Sequence, residues 1–502
     1  MRTTLYVTLI VFVSKALGFV RDMVQMNYFG TTVQSDAYVN AYGIYFIPVL
    51  LLTSCIASTM VPLFLDADKY GDSRQSNLFG SRCINLFAVL SMALSALMYV
   101  FAEPLVKLIY PKLSAESIRL TVEMTRIMMP SLVFVTVSIV QATIMNARER
   151  FLAGQLSGFP YSIVTIVAAV CFSAPFGIKA VAWATALAGF LQMLIVIPFQ
   201  RGAFSYVPKF TFWDARVKQV ILLAVPSMAS MAVNELNHMI DRSFASGMNV
   251  GDVSAMSAAY RLITFVLGVA IVPITTVMFS RMSKRAIEKD LKSIGDILTQ
   301  CIEVIFLVLL PVVVLGMIYD LDIIKFAYMR GKFTLESARN TAWILSMYLT
   351  GTIFYGLRDL FNRGFHSLKN TKVPLYNSMI TVVLNVILSA IFSRFMGAGG
   401  LALATSIASA FGCVVLFVRL KNRVGQMDLR TTGRELLKMG FAALMVMALG
   451  MELNRLVPEA TGAMQSLMRL VVCGAPCLVL YVVALALLGV RQLSFFKGLL
   501  KR

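Results

Sequence analysis

The chain has 502 residues, of which 58% are hydrophobic and 14% charged, and its formal net charge is +20. A mean hydropathy of +0.79 excludes an ordinary soluble globular protein. The basic residues are divided among short loops between apolar runs and form no basic domain, which excludes nucleic acid as a partner and fits the positive-inside rule.

Apolar stretches long enough to cross a bilayer fall at 5–28, 37–65, 80–102, 121–146, 155–175, 178–200, 216–246, 251–280, 297–319, 338–364, 372–394, 398–420, 434–454 and 466–489, fourteen in all. The fifth and sixth are parted by the break Pro175-Phe176-Gly177. The first run follows Arg2 as a signal peptide would. However, Lys15, Gly18 and Arg21 stand where a small-residue cleavage site belongs, so the expectation is a retained first span.

That first run also carries charge where a span should have none: Lys15, Arg21 and Asp22, with Asp36 just beyond. An ionised group at the centre of a spanning helix costs about 2.5–3.5 kcal/mol on insertion scales, and such groups face a wet cavity or a partner and mark a substrate path. Gly18, between the two cations, is expected to serve as a hinge or a packing contact. Further along, Glu123 and Arg126 lie three residues apart and are expected to pair with each other. The seventh span carries Glu235, Asp241 and Arg242, the eighth Arg261, the ninth Glu303 and the tenth Arg358 with Asp359. Arg21-Asp22 and Asp241-Arg242 have a structural reading as locks or snorkelling pairs. Lys15, Arg21 and Arg261 form a cationic excess expected to meet cargo. His238 and His366 are the only histidines, and hydrogen bonding to a neighbour is their expected fate.

Loop charge sets an orientation. With the N-terminus inside, alternation places roughly 28 basic residues in inner loops and tail against about 11 outside. Loops 31–35 and 248–250 are then outside and carry none, and both termini are cytoplasmic. A repeat agrees with this. Phe29-Gly30, a short polar loop and Asp36-Ala37-Tyr38 to Tyr42 resemble Ser246-Gly247, a similar loop and Ser254-Ala255-Met256 to Tyr260. The expected architecture is an all-α polytopic membrane protein of about fourteen helices. A six-helix lobe over 1–200 and a second over 201–420 are related by a pseudo-twofold, and 421–502 adds two helices and a tail. Repeats of this kind place a binding site between the lobes.

The seven cysteines fall in or beside apolar stretches with no metal-ligand spacing and read as buried structural thiols. Gly331-Lys332-Phe333-Thr334 lacks the leading glycine and the Lys-Ser/Thr adjacency of a phosphate loop. With no cofactor or ATP motif, energy is expected from cargo supply and removal, a monovalent-ion gradient or the membrane potential. A glycosyl transferase would need catalytic carboxylates in larger loops than these.

At Leu17-Gly18-Phe19-Val20-Arg21-Asp22, Phe29-Gly30, Asp36-Ala37 and Val61-Pro62-Leu63-Phe64, the sequence resembles the bacterial lipid II flippase family (MurJ, also called MviN), within the multidrug/oligosaccharidyl-lipid/polysaccharide exporter superfamily. Phe244-Ala245-Ser246, Arg261-Leu262, Gly331 to Thr334 and Asn370 to Pro374 extend the likeness over nearly the whole chain. The resemblance implies fourteen spans, a two-lobed V and a central cationic cavity. The cargo it implies is undecaprenyl-diphosphate-linked disaccharide-pentapeptide, moved from the inner to the outer leaflet of the cytoplasmic membrane for peptidoglycan synthesis. Membrane lipids and the cell-wall synthesis machinery are the implied partners. By the same resemblance, Arg21, Asp36 and Arg261 match functionally important charged positions, and Lys15 stands where the family usually has arginine. One departure lies in the second span: the family's Pro-Asn-x-x-Arg is Pro48-Val49-Leu50-Leu51-Leu52 here, so an expected arginine is absent. Arg242 is the candidate to replace it. Another polyprenyl-linked oligosaccharide, or a cation-coupled multidrug exporter of the same superfamily, is the alternative.

Overall fold

The computed structural model describes residues 2–70, 73–208, 217–220, 235–425 and 427–493, and every described element is helical or turn. Part of the expected seventh span (221–234) lies outside the described residues. So do Lys209 and Arg216 of its preceding loop and the basic tail residues Lys497, Lys501 and Arg502. In chain order the helices are α1 (Arg2–Phe29), α2 (Val33–Tyr70), α3 (Ser73–Val100), α4 (Ala102–Ile109), α5 (Ala115–Met128), α6 (Ser131–Ala147), α7 (Leu152–Leu156), α8 (Phe159–Phe176) and α9 (Lys179–Gln200). A helical segment at 235–245 is α10. There follow α11 (Asp252–Ala270), α12 (Val272–Ile287), α13 (Leu291–Ile318), α14 (Asp320–Tyr328), α15 (Leu335–Leu349), α16 (Thr352–Ser367), α17 (Lys372–Val424), α18 (Leu429–Leu456) and α19 (Ala463–Leu487).

Among the described residues nine helices are long and apolar enough to cross a membrane, or ten if α5 and α6, bent by 44° at their junction, count as one span. The chain is therefore a multi-pass membrane protein, as its hydropathy requires. This count does not map one-to-one onto the apolar runs, because the backbone breaks inside some of them. Pro130 lies at the α5–α6 bend, the expected 251–280 span divides at Ile271 just before Pro273, and 338–364 divides at Thr350-Gly351. A proline has no N–H to donate and clashes with the preceding turn. Conversely, α17 runs through two expected spans. Its 53 residues would reach about 80 Å at 1.5 Å per residue, well over the roughly 30 Å of hydrocarbon. The helix is in fact broken at Gly397, where φ is 57°.

The chain divides into two compact units, Met1–Ser254 and Ala255–Arg502. In the first, α2 packs on α5 and α6, α6 on α9, and α8 on α9. Ala168, Ala180 and Ala184 make the buried α8–α9 seam; small residues let helices approach closely where lipid removes any hydrophobic drive between them. In the second unit, Leu298, Ile305, Leu309, Leu360, Phe361 and Leu416 join α13, α16 and the end of α17. A separate cluster built on Met439, Val446, Cys477 and Tyr481 seats α18 and α19 on α13. Six of the seven cysteines are buried as expected, but Cys171 is exposed: it lies on the side of α8 that also exposes Val167 and Val170.

Candidate functional site

α1 runs unbroken through Lys15, Gly18, Arg21 and Asp22. Lys15 is exposed, and a Cβ added at Gly18 would meet nothing within 4 Å. Arg21 donates from Nε and Nη2 to Oδ1 of Asp22, at 3.0 and 2.8 Å. Its guanidinium lies 4.6 Å from the centre of the Tyr161 ring on α8, a cation–π contact of about 0.5–2 kcal/mol. Tyr161 belongs to an aromatic row. Tyr42 stacks on it at 6.0 Å, on Tyr38 at 6.1 Å and on Phe46 at 5.7 Å. The Tyr38 hydroxyl lies 3.4 Å from those of Tyr161 and Thr185. Sequence reasoning found Arg21 but missed the row, although Tyr38, Tyr42 and Phe46 recur every four residues along one face of α2.

Asp36 opens the first turn of α2 and is buried. Its Oδ2 accepts from the Gly251 amide at 2.6 Å, and its Oδ1 accepts from the Ser254 amide at 2.8 Å and from the Ser254 hydroxyl. These donors form the opening turn of α11, where backbone N–H groups have no helical partner. Asp36 and Ser254 are also the residues that the repeat places in register, so one copy of the motif binds its counterpart. Gly251 has φ +94°, and a Cβ there would stand 2.7 Å from the Thr31 carbonyl oxygen. Glycine is required at that position on both counts.

Arg242 turns onto α2, where its Nη1 fills the space above Gly43, beside the Tyr110 hydroxyl. The missing side chain of Gly43 is what admits the guanidinium. Tyr110 donates to the Asn40 carbonyl at 3.4 Å, and Asp241 is buried. The expected Glu123–Arg126 pair does not form. Glu123 binds Lys179 at 2.6 Å, while Arg126 donates to the Tyr99 carbonyl at 3.3 Å. α9 brings Lys179 closer to Glu123 than its own helix brings Arg126, an outcome of helix crossing that residue spacing does not carry.

In the second unit Arg261 is half-buried on α11, and its neighbour Tyr260 meets Tyr348 at 5.5 Å. Asp359 binds Arg363 at 2.9 Å and accepts from Thr275 at 2.8 Å, rather than pairing with adjacent Arg358. Glu303, buried on α13, accepts from Thr432 at 3.1 Å and Gln492 at 2.7 Å. Arg469 on α19 binds Asp322 on α14 at 2.6 Å, and Lys325 donates to the Ala460 carbonyl at 2.7 Å. Sequence reasoning did not single out Asp322, Lys325 or Arg469. An apolar groove of about 880 Å³ lies beside α18, lined by Leu310, Val314, Leu436, Gly440, Leu444 and Met447. α13 supplies its other wall.

Among the described residues no three His, Cys, Asp or Glu side chains are placed to hold a metal ion. In the first unit the Arg21 guanidinium is held between a carboxylate and a tyrosine ring, and in the second an apolar groove runs beside α18.

Residues 26–472 match a family model described as "Lipid II flippase MurJ". A protein of Borreliella burgdorferi described as "Probable lipid II flippase MurJ" is 24% identical over 432 residues, covering 85% of this chain and 84% of that protein. One of the same description from Thermotoga maritima is 27% identical over 425 residues, covering 84% and 85%. Among solved structures, "Lipid II flippase MurJ, inward closed conformation" superposes with a TM-score of 0.81 at 24% identity, over 99% of this chain and 100% of that one. An inward-facing multidrug resistance MATE family transporter shares the fold more distantly, with a TM-score of 0.71 at 15% identity over 82% of this chain and 94% of its own.

Proposed function

From the premise that this chain belongs to the lipid II flippase MurJ family, we propose that it moves the undecaprenyl-diphosphate-linked peptidoglycan precursor from the inner to the outer leaflet of the bacterial cytoplasmic membrane by alternating access. It is a transporter and not an enzyme. The observation that carries the reading is Arg21: a guanidinium inside an apolar helix, held by Asp22 and the Tyr161 face. Holding an arginine there is worth its cost when an anion must be met in a low-dielectric setting, where charge-assisted hydrogen bonds are strongest.

In this proposal Lys15, Arg21 and Arg261 bind the diphosphate, and Arg242, seated over Gly43, adds charge to the wall of α2 about 13 Å along the helix from Leu52, where the second-span arginine is missing. Asp36 holds the 31–35 and 248–254 turns together at the outer end, and Gly18 gives α1 room to bend during the cycle. The prenyl tail lies in the groove beside α18. Fourteen spans are proposed, in a six-helix lobe over 1–200, a second over 201–420 and two further helices in 421–502, with both termini cytoplasmic. Cargo supply and removal, an ion gradient or the membrane potential supplies the drive, and the cell-wall synthesis machinery takes the product. A cation-coupled drug exporter would want a carboxylate-rich site, and the sign of Lys15, Arg21 and Arg261 is opposite.

Depleting the protein and identifying the lipid-linked intermediate that accumulates tests the cargo. Lipid II should build up on the cytoplasmic side; accumulation of a different polyprenyl-linked glycan instead would sink the assignment. Cysteine labelling at Thr32 and Asn249 should proceed from outside intact cells, and labelling only after permeabilisation would reverse the topology.

A further inference from the structure

A second cavity, of about 970 Å³, is formed by the ends of α3, α4, α5 and α9. It lies wholly within the first unit and shares no residue with the Arg21 cluster. Its charges are unbalanced. Lys107 binds Glu103 at 2.7 Å and Lys179 binds Glu123 at 2.6 Å, so these two pairs cancel. Arg119 and Arg126 remain, seven residues apart on one face of α5 and both lining the cavity. Arg126 uses Nε on the Tyr99 carbonyl at 3.3 Å and lies 5.8 Å from the Tyr99 ring, which leaves its Nη groups for a ligand.

The cavity opens onto an apolar stripe. Trp183 lines it, and below Trp183 on α9 come Leu187, Phe190, Leu194 and Ile197, all exposed at 38–60%. Their spacing of four, three, four and three residues keeps them on one helix face. Such a face on a spanning helix meets acyl chains, and a tryptophan at its end sits at headgroup level. On the other flank Val100, Phe101 and Leu108 are exposed as well.

We propose that this cavity is a binding site for an anionic phospholipid, its phosphate held by Arg119 and Arg126 and an acyl chain lying along the α9 stripe. Guanidinium matches phosphate oxygens two at a time, and two unbalanced cations favour a lipid with net negative charge over a zwitterion. On the topology proposed above the lipid belongs to the outer leaflet; that placement rests on the transport reading, whereas binding does not.

Native mass spectrometry of the full-length protein, released from neutral detergent and titrated with phosphatidylglycerol, phosphatidylcholine or undecaprenyl diphosphate, tests it. Phosphatidylglycerol should be retained at least fivefold over phosphatidylcholine. The Arg119→Ala/Arg126→Ala pair should lose most of that excess and keep undecaprenyl diphosphate, and Arg119→Lys/Arg126→Lys should restore part of it. Unchanged phosphatidylglycerol retention in the alanine pair overturns the proposal, as does loss of undecaprenyl diphosphate in its place. Should the alanine pair fail to fold, Arg119→Gln, at an exposed position, should still lower retention about twofold, and no change there overturns the proposal equally. Arg21→Ala should lose undecaprenyl diphosphate and keep phosphatidylglycerol. That last outcome tests the transport reading alone, so the two can fail separately.

Discussion

Each unit places an arginine–aspartate pair among apolar helices, and the two pairs are built for different work. Arg469 and Asp322 come from helices 147 residues apart in sequence, and their side chains are 8% and 4% exposed. Arg469 also donates to the Asn454 carbonyl and side chain and to the Val457 carbonyl, so one guanidinium ties α14, the end of α18 and α19 together. Arg21 and Asp22 are sequence neighbours, 14% and 9% exposed, and both recorded bonds end on a single carboxylate oxygen. The salt bridge itself stays within one turn of α1, and it aims the guanidinium at the Tyr161 face on α8. A buried pair that spans helices is architecture, whereas a local pair in a span is a presented charge.

The contrast can be broken most decisively at Arg469. Arg469→Ala leaves Asp322 buried without its cation, a loss of about 3–5 kcal/mol, and should show as low expression and a collapsed melting transition in detergent. Replacing both partners by apolar residues, Arg469→Met with Asp322→Leu, should recover most of the loss. A wild-type melting curve for Arg469→Ala would remove the distinction between the two pairs.

Next come Arg21→Ala and Arg261→Ala. On the proposed site each would remove a charged hydrogen bond to the cargo, about 1.5–3 kcal/mol, so transport should fall tenfold or more. Arg261→Ala should melt near wild type, whereas Arg21→Ala, which leaves buried Asp22 without its cation, should also melt lower, by less than Arg469→Ala. Lys15→Arg should be neutral or mildly favourable. Growth of a dependent strain on either alanine variant at the wild-type rate would refute the cationic-site assignment.

A smaller effect is expected at Gly251→Ala. The alanine must adopt φ near +94° and its methyl must press on the Thr31 carbonyl, at about 1–3 kcal/mol, with weakening of the hydrogen bond from the residue 251 N–H to Asp36. Gly18→Ala, where nothing lies within 4 Å, is the matched control and should hold stability or raise it slightly, as alanine does in a helix interior.

The smallest effect concerns two helix caps in the second unit, Asp290 half-buried and Asp428 exposed. Asp290 accepts from the Ser293 amide and hydroxyl, and Asp428 from the Thr431 amide. These hydrogen bonds to Ser293 and Thr431 hold both carboxyls below the usual range. A depressed folded-state value means the stabilisation is present above the unfolded carboxyl range and fades as pH falls through the folded one. Asp290→Ala should therefore melt slightly lower than wild type at neutral pH, and the gap should close on acidification. A gap that widened in acid would contradict the capping role.

Fold and site were legible in the sequence to different depths. Backbone groups in lipid must be satisfied within their own segment, so every long apolar run had to be helical, and the runs alone located α3, α9, α13, α18 and α19. The cost of charge in a span drew attention to Lys15, Arg21 and Arg261, the family resemblance to Asp36 and Arg242, and the repeated motif put Asp36 in register with Ser254. Tertiary structure decided which partner each charge takes. Glu123 chose Lys179 over Arg126, Asp359 chose Arg363, Arg242 settled over Gly43, and Asp36 reached a turn more than 200 residues away. Hydropathy depends on which residues a helix contains, and it is blind to how that helix is rotated and where it crosses its neighbours. Partner choice follows from rotation and crossing, which are set by packing of small residues such as Ala168, Ala180 and Ala184 and by breaks such as that at Gly397.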